Sequence, residues 1–105
     1  MNRPGADRMN AADKFVAFHQ ANPGVYAKLH AYALEARAAA RDHIGIAMLL
    51  ERFRWYTAVE TTDPDFKVAN NHKPYYARLL MRNDPNLAGL FVLHTIRYPL
   101  PEGVT

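Results

Sequence analysis

Apolar residues recur along most of this chain at spacings of three and four, the interval at which side chains return to the same side of an α-helix. Ala12, Phe15, Val16 and His19 form the first such face. It follows Asn10, a helix-capping residue with Asp13 three positions on. Pro23 ends that run, because the residue before a proline is pushed out of the helical region. The same proline opens a second helix, with Asn22 as its cap and Val25, Leu29, Tyr32, Ala33, Ala36 and Ala40 as its inner stripe. After a link at Asp42-His43-Ile44-Gly45, a third helix puts Ile46, Leu49, Leu50, Phe53 and Thr57 on one face and Glu51, Arg52, Arg54 and Trp55 on the other. It has the strongest hydrophobic face and is the expected central helix of the core. The pattern fades near Asp63-Pro64. A fourth helix is predicted from Asn71 to Arg82, with Tyr76, Leu79 and Leu80 inward and Pro74 within its first turn.

Two segments leave the helical period. Asp65-Phe66-Lys67-Val68 alternates polar and apolar, as a short strand does, and Leu90 to Ile96 is rich in β-branched, aromatic and aliphatic residues that could pair with it. The expected fold is mainly α: a compact bundle of about four helices with a small two-stranded β element. The organisation predicted is a flexible N-terminal arm over 1–9, a single helical domain over 10–97, and an extended C-terminal tail over 98–105 that runs over the surface or hangs free.

Composition narrows the chemistry. A chain of 105 residues, half of them hydrophobic, suits one core. Cysteine is absent, which removes disulfides, thiolate metal sites and a thiol nucleophile, and fits a reducing cytoplasm. Serine is absent as well, so the common covalent hydrolase arrangements have no nucleophile. His19, His30, His43, His72 and His94 are dispersed without metal-ligand spacing, and no glycine-rich phosphate loop occurs. Asp65 and Lys67 make an acid-x-lysine pair of the kind metal-dependent nucleases use, but that chemistry needs further carboxylates on a sheet, and the upstream acids Glu51 and Glu60 fall on a helix. The expectation is a protein that is not an enzyme and carries no cofactor or metal. The N-terminus has no apolar stretch of a secretory signal, and the longest apolar runs, seven residues each, fall short of the ~20 that span a membrane. A cytoplasmic protein without a membrane partner is expected.

Charge points to a surface. The net charge is +3, and residues 71–82 own all of it through Lys73, Arg78 and Arg82, with no acid among them. Asn71, Tyr75, Arg78 and Arg82 fall at i, i+4, i+7 and i+11, a face opposite the inward stripe. Arginine forks onto phosphate or guanine, asparagine pairs with adenine, and tyrosine stacks on an unpaired base. Binding of DNA or RNA through Asn71, Lys73, Tyr75, Arg78 and Arg82 is therefore the leading functional expectation, set against an ordinary solvated basic face. A standard helix-turn-helix does not fit, since about ten residues separate the third and fourth helices where that motif has three or four. The alternative is a small protein-binding module, or an inhibitor of another protein, using Arg54 and Trp55 with the two tyrosines or the C-terminal edge. Trp55 reads equally as peripheral core, the usual use of so large a ring in a small domain. A homodimer would double a weak basic patch.

The order Asn22-Pro23-Gly24-Val25-Tyr26, Leu49, Glu51, Arg54-Trp55, Asp65-Phe66-Lys67, Asn70-Asn71, Tyr75-Tyr76-Ala77-Arg78, Asp84-Pro85 and Leu90-Phe91 resembles a family of small uncharacterised bacterial and bacteriophage proteins. The resemblance runs from about residue 15 to 91 and is most specific over 65–81. It implies a compact helical fold and a phage or prophage setting, in which the partner of the alternative reading would be a host or phage protein. It carries no catalytic or binding residues across.

Overall fold

The computed structural model describes residues 10–63, 66–91 and 99–105. Among them are four α-helices: α1 (Ala11–Ala21), α2 (Pro23–Ala38), α3 (Ile46–Trp55) and α4 (Lys73–Asn83). A π-helical turn, Tyr56–Glu60, extends α3, and 3-10 turns at Asn70–His72 and Pro85–Leu87 lead into and out of α4. The protein is mainly helical and compact, as the periodicity predicts.

Local chemistry sets the boundaries. Asn10 Oδ1 accepts the Asp13 amide at 2.8 Å, the expected cap of α1. Asn22 behaves differently from its predicted role. Its backbone, at φ −134° and ψ 63°, is not in the extended geometry of a capping residue, and its side chain turns back to donate to the Phe18 carbonyl at 3.0 Å. It closes the end of α1, and Pro23 alone opens α2. The far end of α2 is stopped by Ala40, which takes the left-handed conformation at φ 64° usually held by glycine, while the Arg41 amide reaches back to the Ala36 carbonyl at 3.1 Å. Arg37 ties this end to the loop after α4. Its Nε donates to Asn86 O at 2.9 Å and its Nη2 to Ala88 O at 2.7 Å.

The core forms around Phe15, which is fully buried. Its ring stacks on Tyr75 at 5.2 Å and meets Tyr76 edge-on at 4.9 Å. Such pairs contribute about 0.5–1.5 kcal/mol each beyond the area they bury. Leu29 from α2, Leu79 and Leu80 from α4, and Leu87 and Leu90 beyond it are also fully buried.

The central helix is α4, which corrects the expectation for the third. It buries Tyr75, Tyr76, Ala77, Leu79 and Leu80, whereas α3 buries only Leu49 and Phe53. α4 packs on α2, α3 and the Pro85–Leu87 turn, and its leading 3-10 turn packs on α1. Periodicity identifies the more apolar side of each helix, but it does not reveal which helix has neighbours on several sides.

No strand occurs among the described residues, so the predicted two-stranded element is not seen there. Residues 66–69 form neither helix nor turn. Phe66 and Val68 are half-buried while Lys67 and Ala69 are exposed, the alternation the sequence predicts. Phe91 makes one isolated parallel bridge with Ile44, whose amide donates to the Leu90 carbonyl at 2.9 Å. Asp65 and 92–96 lie outside the described residues, as does the arm over 1–9. The end of the chain is docked: Val104 is 6% exposed within the core, Leu100 packs against it, and His19 Nε2 lies 3.3 Å from the Thr105 carbonyl.

Candidate functional site

Of the residues expected to form a basic, outward face on the fourth helix, Tyr75 is the one that the structure buries. Tyr75 is 4% exposed and stacked on Phe15, so its ring is part of the core. Within α4 its spacing to Arg78 and Arg82 is the expected one, but α4 has neighbours on several sides, so this side of the helix is covered too. Residues 70–72 form a 3-10 turn, so Asn71 stands outside the α-helix. Arg82 is exposed but tethered: it donates through Nη2 to the Val104 carbonyl and through Nε to Asn83 Oδ1 at 3.1 Å. Arg78 is half-buried, with Nη1 3.4 Å from the Pro74 carbonyl. Asn71 is exposed and Lys73 half-buried. The sequence cluster is therefore divided between core, internal tethers and surface.

Arg54 and Trp55, at the end of α3, are both exposed. Trp55 is 64% exposed, which corrects its reading as peripheral core. It shares its helical stripe with Met48, 63% exposed, and with Val59 in the following turn, 58% exposed. Met48 and Trp55, seven residues apart, face the same way on α3, away from Phe53, and Val59 follows them in the π-helical turn. The spacing is present in the sequence. Periodicity alone passes over Met48 and Val59, because the stronger apolar face of the same helix already accounts for its burial.

Two depressions flank this face. One, of about 480 Å³, lies between the ends of α2 and α3, walled by Ala36, Ala39, Ile44, Met48 and Leu49. The ion pair of Arg52 with Glu35, at 2.7 Å, closes one side of it, and the Arg52 guanidinium lies 4.1 Å from the Tyr32 ring centre. That hydrogen bond to Arg52 holds the Glu35 carboxyl below its ordinary value. The other depression, about 210 Å³, lies between α3 and residues 66–70, with Glu51, Arg54, Lys67 and Asn70 around an apolar floor. Glu51 and Lys67 thus share a cleft, while Asp65, the remaining member of the acid-x-lysine pair, lies outside the described residues.

Among the described residues no three histidines or acids come together as a metal site, and no helix is long and apolar enough to cross a membrane. His94 lies outside them. His30 pairs with Asp84 at 2.6 Å, an interaction that lowers the Asp84 pKa, and Asp84 also caps the Pro85–Leu87 turn by accepting the Asn86 amide at 2.9 Å. His72 is 7% exposed against Phe18, and burial lowers its pKa.

These features define a small helical domain with a solvent-facing aromatic and aliphatic stripe. Comparison with models of known families, with curated proteins and with solved structures gives no match.

Proposed function

We propose that this protein is a non-catalytic accessory protein, of the phage type its sequence resembles, that binds another protein on the outer face of α3. The observation that carries the reading is the exposed line of Met48, Trp55 and Val59. Apolar groups aligned on one stripe mark interaction surfaces more often than scattered ones do, and Trp and Arg are the residues most enriched where binding energy concentrates. Trp55 supplies the anchor. Arg54 stands beside it at the polar edge, and the depression next to Met48 gives a partner somewhere to seat a side chain.

A photo-reactive phenylalanine analogue placed at position 55, in the cells that make this protein, tests the reading. A discrete protein adduct is expected at 55 and at 48, and none at Ala17 on the exposed side of α1. Adducts equal at all three positions, or adducts to nucleic acid, would sink it. Nucleic acid bound through Asn71, Lys73 and Arg78 is the second reading. It keeps one supporting observation: Lys73 makes no ion pair among the described residues.

A further inference from the structure

The smaller cleft has features that docking on Trp55 does not use. Its floor is formed by Leu50, Phe53, Phe66 and Val68. At about 210 Å³ it has room for a side chain but falls below the roughly 300 Å³ at which small-molecule sites begin. Arg54 and Lys67 stand at its rim, and neither side chain makes an ion pair among the described residues. Along its edge, Lys67 and Val68 make no backbone hydrogen bond among the described residues. Burial alternates from Phe66 to Ala69, and Ala69 is extended at φ −63° and ψ 143°. A segment with alternating side chains and unused amide and carbonyl groups is the kind of edge onto which another chain adds as a strand.

We infer that this edge receives an extended acidic peptide of a partner protein. The peptide pairs with the main chain of Lys67 and Val68, lowers one apolar side chain onto the floor of Leu50, Phe53, Phe66 and Val68, and sets a carboxylate against Arg54 and Lys67. The inference rests on the protein-binding reading above and specifies the chemistry of the partner segment. The main chain supplies the pairing, the cleft selects an apolar residue, and the two cations select an acid beside it. A nucleic acid fits this cleft less well, because it has no peptide backbone to pair with the main chain of Lys67 and Val68.

Amide-resolved NMR titration of the full chain at low salt tests the inference with four probes: a capped peptide alternating aspartate and leucine, its lysine-leucine counterpart, a capped acidic amphipathic helical peptide, and a short oligothymidylate. The aspartate-leucine peptide is expected to move the Lys67 and Val68 amides and to bind about tenfold more tightly than the lysine-leucine peptide, a difference of about 1.4 kcal/mol. Arg54→Glu combined with Lys67→Glu should reverse that preference. Both positions are exposed, so the double variant should keep the helical spectrum of the parent. Equal affinity for the two extended peptides, or no movement at Lys67 and Val68, overturns the inference. If the helical peptide then shifts the Trp55 indole, protein docking on α3 stands without it. If oligothymidylate alone moves the cleft, both readings fall.

Discussion

Arg82, on the central helix, donates a hydrogen bond to the main-chain carbonyl of Val104, twenty-two residues further along the chain. A cation at the surface thereby fastens the segment around Val104 to the core. Arg82→Ala should lower stability by about 1.5–3 kcal/mol, the usual loss for a hydrogen bond with a charged donor. It should leave any affinity for DNA unchanged. Urea denaturation and fluorescence anisotropy with labelled DNA measure the two effects. Unchanged stability with weakened DNA binding would mean that the guanidinium acts outward.

Phe53 and Trp55 stand two residues apart on one helix and should respond oppositely to truncation. Phe53 is 6% exposed, so Phe53→Ala should cost about 3–5 kcal/mol through lost burial and the cavity left behind. Trp55→Ala should stay within about 0.5 kcal/mol of the parent, as exposed positions do. Thermal melts of the two variants decide the matter. A large loss at Trp55 would show that its ring supports the fold and would remove the anchor from the proposed docking face.

Burial lowers the pKa of His72 from its ordinary value of 6.5. The unfolded chain then takes up a proton at that position before the folded one does, so stability falls as pH drops below about 6.5 and goes on falling until the folded-state value is passed. In His72→Phe this contribution should vanish, and the melting temperature should change less between pH 7 and 5. Equal slopes for parent and variant would show that the ring protonates without penalty where it lies.

Ala40 holds a left-handed backbone conformation that costs an L-residue about 1–2 kcal/mol, partly offset by the greater unfolded-state freedom of glycine. Ala40→Gly should therefore stabilise the protein by up to about 1 kcal/mol. The midpoint of chemical denaturation reads the change, and a lower midpoint would contradict the assignment of strain to this residue.

Much of the architecture is legible in the sequence because it obeys local rules. Asn10 with Asp13 marks one helix start, Pro23 marks another, and the periodic residues Phe15, Leu29, Phe53 and Leu79 are buried as their spacing requires. The features that escape such reading depend on relations between distant parts of the chain, or on turns without a signature. Tyr75 is buried because α4 is covered on several sides, which its own spacing does not show, and the arrest of α2 at Ala40 lacks the glycine that would advertise it. The fate of Arg82 depends on a carbonyl twenty-two residues away. Of the site, Arg54 and Trp55 are legible as hot-spot residues. The cleft is not, because Lys67 and Asn70 meet Arg54 only once α3 and the 66–70 segment have come together.

Val104 acts as a plug, and that has a practical side. Loss of the Val104 side chain would leave an opening in the interior where an aliphatic group had been. Proteolysis within residues 99–105 should therefore advance only as fast as this segment detaches, so that digestion becomes a clock for that local opening. Affinity handles and fluorescent labels used in the assays above are better kept away from this segment.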